Sequence, residues 1–242
     1  MQLTVVTPTY NEAANVPAFA RAVTEVLRGV DHEILIVDDD SPDRTWEVAE
    51  GLRAEFPRVR VLRRRGERSL AASVIEGFSA ARGQAVACMD ADLQHDPAIL
   101  PEMLRQLTAG GELVVGCRYM PGGGTSDWGL LRRLASRAAT QLAESALGLR
   151  LRDPMSGYFM VRRDEFLRVR DRLSAQGFKI LIEIAAQLPS PEIREVPFVF
   201  RPRVAGQSKV TATVMLNYLA QLRRLRAARS RLPAKAAAQS AG

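Results

Sequence analysis

The stretch Met89-Asp90-Ala91-Asp92-Leu93-Gln94-His95 directly follows the apolar run Ala85-Val86-Ala87-Cys88. That run reads as a buried β-strand, so the side chains of Asp90, Asp92 and Gln94 arrive together at a strand end. Alternate residues of extended chain project to one side, which puts these oxygen-bearing groups on a shared face. Carboxylate and amide oxygens grouped in this way suit a hard divalent cation, Mg2+ or Mn2+, with a ligand phosphate completing the coordination. A plainer reading competes: acids at strand ends also serve turns, and Asp96-Pro97 opens a helix.

The same pattern occurs twice upstream. Leu3-Thr4-Val5-Val6-Thr7 is a β-branched strand that gives way to Pro8-Thr9-Tyr10-Asn11-Glu12, and Glu33-Ile34-Leu35-Ile36-Val37 ends in Asp38-Asp39-Asp40-Ser41-Pro42-Asp43. Helices are expected from Asn15-Val16 through Leu27, from Trp46 to Leu52, and from a Ser69 cap through Phe78. Val59-Arg60-Val61-Leu62 supplies another strand. Apolar strands alternating with helices indicate a parallel sheet covered on both faces, and such sheets bind ligands beyond the carboxyl ends of their strands. The polar clusters fall repeatedly at that edge, and turn chemistry has to be invoked separately for each. No G-x-G-x-x-G follows the first strand and no Walker lysine loop is present, which disfavours a dinucleotide-binding or P-loop domain.

Further on, a helix through Leu104 and Leu107 precedes the strand Leu113-Val114-Val115-Gly116-Cys117, which leads into Arg118-Tyr119. Pro121 to Ser126 reads as a flexible glycine-rich loop. A helix from Trp128 to Leu147 carries Arg132, Arg133 and Arg137 along one edge, with Ser136 one turn after Arg132. Arg118, Arg132 and Ser136 form a candidate phosphate grip, because guanidinium binds phosphate in bidentate fashion; solvated arginines are the alternative.

At 242 residues and 47% hydrophobic, the chain is long enough for one substantial core with at most a small appendage. Cys88 and Cys117 sit in apolar, strand-like contexts, as expected of reduced thiols in a cytosolic protein rather than of a disulfide or zinc site. Met1 runs into a strand without a basic leader, and no apolar run is long enough to span a bilayer, so neither a signal peptide nor a membrane span is expected. The net charge of +7 gathers late, in Arg223, Arg224, Arg226, Arg229, Arg231 and Lys235, with no acid among them. A polyanionic partner follows: anionic lipid, nucleic acid or a phosphorylated substrate.

Taken in order, these segments resemble the family 2 inverting glycosyltransferases of the GT-A fold, and among them the dolichol- or polyprenyl-phosphate mannose synthases. The matching stretches are Thr7 to Glu12, Val37 to Asp43, Met89 to His95, Gly116 to Tyr119, Asp153 to Phe159, Gly177 to Lys179, Glu195 to Pro197 and Arg203 to Lys209. The resemblance implies an α/β, Rossmann-like GT-A catalytic domain over residues 1–210, with a mostly parallel central sheet covered by helices. An amphipathic basic helix over 211–231 and a disordered tail over 232–242 would follow. It further implies that Pro8, Tyr10, Glu12, Asp39 and Lys179 hold the nucleotide-sugar, with Asp39 accepting hydrogen bonds from the base. Asp90 would contact the ribose-diphosphate side, and Asp92 and Gln94 would ligate the metal. Arg118, Arg132, Ser136, Arg203 and Lys209 would grip phosphates, with Asp153 and Ser156 on the sugar and acceptor side. Catalysis would rest on Asp90, Asp92, Arg118, Arg132 and Asp153. One departure stands out: the loop after Arg65 usually carries glycines in such enzymes, whereas here it reads Glu67-Arg68-Ser69-Leu70-Ala71-Ala72, so Arg63, Arg64 and Arg65 either compensate or form a solvated face.

The chemistry fits these residues. A phosphate monoester has a second pKa of about 6 and is already an anionic nucleophile at neutral pH. It needs positioning and charge neutralisation rather than a general base, while a cation stabilises the departing nucleoside diphosphate. That agrees with many arginines and no obvious catalytic histidine, His32 being read as a surface residue. Transfer to a sugar hydroxyl would want a carboxylate base, for which Asp153 is the candidate. The expected reaction moves mannose from GDP-mannose to dolichyl or polyprenyl phosphate. It would be run by a peripheral protein at the cytoplasmic membrane face. One alternative is transfer of glucose or an aminosugar from a UDP-sugar to undecaprenyl phosphate. The other is a nucleotide- or nucleic-acid-binding module, disfavoured because the arginines are not interleaved with aromatics, which make up 6% of the chain. Val214, Met215, Tyr218, Leu219, Leu222 and Leu225 recur at helical spacing, suggesting an interfacial helix on an anionic membrane; a helix packed on the core is the alternative. Relatives often continue into membrane-spanning helices, which leaves open a peripheral protein, a membrane-anchoring partner protein or a longer form of this chain.

Overall fold

The β-branched run Leu3–Thr9 (β1) takes parallel neighbours on both sides, His32–Asp38 (β2) and Ala85–Cys88 (β4), and Val59–Arg63 (β3) adds in parallel outside β2. Leu113–Cys117 (β5), Phe159–Arg162 (β7) and Ile193–Pro197 (β8) complete a seven-stranded sheet in the order β3-β2-β1-β4-β7-β5-β8. Only β7 runs against its neighbours β4 and β5; β5 and β8 are parallel. Gly124–Thr125 (β6) lies in the glycine-rich segment expected to be a loop, and pairs in parallel with Val199–Phe200 (β9). This computed structural model describes residues 1–125, 130–175, 179–201 and 212–230, with the backbone alone for 130–138 and 212–217.

Pleating divides the core between the two faces of the sheet. Val6, Leu35, Val37, Val86, Cys88 and Phe159 share one cluster with Leu70–Ala80 (α3), Leu130–Leu147 (α5), Arg163–Val169 (α6), Ile180–Gln187 (α7) and Ala212–Arg229 (α8). Val5, Ile34, Ile36, Ala87 and Met160 face Val16–Val26 (α1), Thr45–Gly51 (α2) and Leu100–Thr108 (α4). Ser69 does cap α3, its Oγ accepting the Ala72 N–H at 3.3 Å. Asp96 likewise caps the short 3-10 turn Pro97–Ile99 ahead of α4.

Two expectations need correction. His32 is buried rather than on the surface: it begins β2 beside Leu3, and its Nδ1 lies 2.9 Å from the Val30 carbonyl. Burial holds its pKa below the usual value. In α8, Tyr218, Leu222 and Leu225 are buried in the core with α5 and α7, so protein rather than lipid takes these apolar groups out of water. Among the described residues no helix is long and apolar enough to cross a membrane.

The contact of α3 with the sheet is close enough to test. A Cβ on Gly77 would stand 2.5 Å from Val6 Cγ1 and 2.9 Å from Val37 Cγ2. Alanine in a helix interior ordinarily gains about 1 kcal/mol over glycine, but overpacking a filled core costs about 1–3 kcal/mol. Gly77→Ala is therefore expected to lower stability in urea unfolding; a stabilised variant would show that this contact yields freely.

Candidate active site

The strands β1, β2 and β4 end along one edge, with Thr9 level with Asp38 and Val6 level with Cys88. The chain leaves each of them through a left-handed residue: Asn11 (φ 60°), Asp40 (φ 53°) and Leu93 (φ 57°). Asn and Asp tolerate that region, whereas a residue such as Leu93 avoids it at a cost of roughly 1–2 kcal/mol, so other bonds must hold these loops. Asp38 accepts the Ser41 N–H at 2.9 Å and hydroxyls from Ser41 (2.5 Å) and Thr9 (3.0 Å). Asp43 accepts the N–H groups of Ala13 (3.1 Å) and Thr45 (3.0 Å), and Ser41 Oγ accepts the Asn11 N–H at 3.1 Å. Two acids of the second cluster thus stitch the first two loops together.

Asp39, the next acid of that group, is part-buried and held in a different way. It is ion-paired with the buried Arg64, and it accepts the Ser73 hydroxyl at 2.7 Å and the Ser69 N–H at 3.1 Å. Arg64 also reaches Glu76 at 2.9 Å. The basic run therefore splits: Arg64 is internal, Arg63 pairs with Asp40 at 2.5 Å and lies over the Trp46 ring, and Arg65 is exposed. Arg68, in the loop that usually carries glycines in such enzymes, places its guanidinium 4.2 Å above the exposed ring of Tyr10. Glu12 accepts from Asn15 Nδ2 at 2.6 Å, and its N–H donates to Thr45 Oγ1 at 3.0 Å. Pro8 stays within β1, level with Val37.

At the end of β4, Asp92 is buried and its Oδ1 accepts the Gln94 N–H at 3.1 Å, while the Asp90 carboxylate is more exposed. Gln94 is clamped by Arg201: its Nε2 donates to the Arg201 carbonyl at 2.9 Å, and the Arg201 N–H donates back to the Gln94 carbonyl at 3.1 Å. The amide's donor end is thereby fixed on Arg201, which turns Oε1 elsewhere. His95 lies stacked on Tyr158 (centroids 5.0 Å apart) and edge-on to Phe198 and Phe200. Burial lowers its pKa to about 4, so it is neutral, and its Nδ1 accepts the Asp90 N–H at 3.2 Å. There it holds the Asp90 backbone amide in place.

From the other half of the sheet, Arg118 forks onto the fully buried Asp153, donating Nε to Oδ2 and Nη2 to Oδ1, both at 2.7 Å. The Arg118 N–H adds a third bond to Oδ2 at 3.1 Å. Both oxygens of Asp153 are thus engaged. Ser156 is similarly committed, donating to the Gly116 carbonyl at 2.8 Å. Lys179 reaches the same turn, its Nζ donating to the Met155 carbonyl at 3.3 Å. Burial, then the nearby Arg118, lowers its pKa to about 8. The structure therefore gathers Asp90, Arg118, Asp153 and Lys179 into one electrostatic neighbourhood. Arg203 and Lys209, and the side chains of Arg132 and Ser136, lie outside the described residues.

The model of the family described as "Glycosyl transferase family 2" matches residues 4–169. The chain belongs to that family. A dolichol-phosphate mannosyltransferase from Pyrococcus furiosus is 39% identical over 93% of this chain, which spans 64% of that protein's length. One of the same name from Saccharomyces cerevisiae is 36% identical over 93% of this chain and 87% of its own. Among solved structures, glucosyl-3-phosphoglycerate synthase from Mycobacterium tuberculosis, in complex with Mn2+, UDP and glucosyl-3-phosphoglycerate, superposes with a TM-score of 0.68. That likeness covers 96% of this chain and 81% of the other at 19% identity, and it bears on the fold alone. The chain is a glycosyltransferase with the GT-A fold.

Sequence reading left Arg64 open between a compensating role and a solvated face, and it missed Arg201. Nothing within the basic run marks Arg64 as its buried member, and Arg201 holds Gln94 through its backbone, which no motif records. Two outcomes test the site. Removing one partner of a buried ion pair typically costs about 3–5 kcal/mol, so Asp153→Ala should lower unfolding free energy by that amount; a loss below about 1 kcal/mol would show that the pair is no strut. Because Lys179 loses its proton as pH rises through about 8, activity that needs its charge should fall on the alkaline side with a midpoint near there. Lys179→Arg, charged at all accessible pH, should remove that limb, and an unchanged profile would exclude Lys179 as its source.

Proposed function

We propose that the protein transfers mannose from GDP-mannose to dolichyl phosphate or a related polyprenyl phosphate. The relatives named dolichol-phosphate mannosyltransferases, at 36–39% identity over most of the chain, supply the sugar and the acceptor class. The observation that carries the mechanism is the Arg118–Asp153 fork: the carboxylate that the sequence offers as a candidate base already has both oxygens engaged by an arginine. A hydroxyl acceptor would leave the reaction without that base, whereas a phosphate acceptor brings its own negative charge. With the Arg118 charge balanced by Asp153, Lys179 supplies positive charge near Asp90, and binding and orientation do the remaining work.

Among the described residues, no group of three or more His, Cys, Asp or Glu side chains is gathered to hold a metal unaided. The Asp92 carboxylate and the Gln94 amide, fixed by Arg201, fit instead the partial oxygen set that Mg2+ or Mn2+ uses when substrate phosphates complete its shell. A cation held there would neutralise the departing diphosphate. The nucleotide is assigned to the loops of Tyr10, Glu12 and Asp39. The exposed Arg223 and Arg226 on α8 support a peripheral protein on an anionic, cytoplasmic membrane face.

Calorimetry with GDP and with UDP, each with and without Mn2+, tests this reading. Metal-dependent binding of GDP is expected, lost in Asp92→Ala together with mannosyl transfer. Preference for UDP would reassign the donor, and binding of neither nucleotide would overturn the proposal.

A further inference from the structure

Glu183 lies one turn into α7, buried in the core-facing side of a helix that is otherwise Ile180, Leu181, Ile182, Ile184 and Ala185. A carboxylate in such a position is costly unless it is fully bonded, and this one is. Its Oε2 accepts the Ser174 N–H at 2.8 Å. Its Oε1 accepts Gln221 Nε2 at 3.0 Å and is ion-paired with Arg224, both from α8. Gln221 Nε2 also lies 3.4 Å from the carbonyl of Lys179, the residue at the head of α7. On the other side, the turn that Glu183 holds is bonded to the nucleotide half of the site: Ser69 Oγ donates to the Ala175 carbonyl, and the Ser69 N–H donates to Asp39.

We infer that Glu183 is a positioning residue for the transferase site, joining α8 and the Ser174-Ala175 turn to the head of α7 so that Lys179 and Asp39 are held in one frame. The inference rests on the proposed function only for its kinetic readout. A carboxylate suits the junction because it accepts from three donors on two separate elements at once. Leucine or methionine would fill the same space and leave Ser174, Gln221 and Arg224 to find other partners. The junction also gives α8 a task besides packing: its inner polar residues reach the site through Glu183, while Arg223 and Arg226 on the same helix are exposed.

The test compares Glu183→Gln with Tyr218→Phe in the full chain. Tyr218 secures the same helix elsewhere, its hydroxyl donating to the Ala139 carbonyl of α5 at 3.1 Å. Both variants should melt earlier. Only Glu183→Gln should lower kcat/KM for the nucleotide-sugar, by roughly tenfold, since small displacements of a charge-bearing group are felt in the transition state. Glu183→Asp should recover part of the loss. Hydrogen exchange supplies a readout independent of substrate: amides at the head of α7 should exchange faster in Glu183→Gln and unchanged in Tyr218→Phe. Equal exchange and kinetics in the two variants would overturn the inference. Absence of mannosyl transfer in the unaltered protein would instead overturn the functional proposal and leave the exchange result to stand by itself.

Discussion

Strand β7 enters the sheet antiparallel between β4 and β5, and this pairing decides which groups meet. Its first residue, Phe159, is level with Cys88 at the end of β4 and with Val115 near the end of β5. The segment before it, Asp153 to Tyr158, must therefore turn at the same edge where β4 delivers Asp90 to His95. Tyr158 stacks on His95, Asp153 takes the fork of Arg118 from the end of β5, and Lys179 closes on Met155. A parallel strand in that place would have sent the Asp153 segment to the opposite edge of the sheet.

Crowding these groups together carries electrostatic consequences that bear on mechanism. Burial leaves His95 neutral, and it is used as a hydrogen-bond acceptor for backbone. Asp153 and Arg118 neutralise each other out of water, an arrangement that contributes geometry more than net stability. Lys179 keeps its charge at neutral pH against the pull of burial and of Arg118. Asn11, Asp40 and Leu93 place left-handed backbone in the loops at this same edge of the sheet.

Much of this was legible in the chain. Continuous apolar strands alternating with amphipathic helices announced a mostly parallel covered sheet, and the polar clusters after β1, β2 and β4 do lie together along one edge of it. The reversed direction of β7 was not legible, because Phe159-Met160-Val161-Arg162 carries the same apolar character whichever way it runs. Nor does sequence separate acids that hold loops from acids that face ligand: Asp38, Asp39, Asp40 and Asp43 look alike, yet they stitch turns, pair with Arg64 or reach toward Arg63. The buried residues of α8 were ambiguous for a related reason, since an apolar stripe fits a core as well as a membrane.

The central claim is that the acceptor phosphate, and no side-chain base, supplies the nucleophile. It is tested most directly by the pH dependence of transfer to dolichyl phosphate and to its phosphonate analogue, whose second pKa is higher. With the phosphate acceptor, the rate should rise on the acid side with a midpoint near the acceptor's own pKa of about 6, and the phosphonate should move that limb upward to match. An acid limb that stays in place when the acceptor is changed would assign the titration to the protein and contradict the claim.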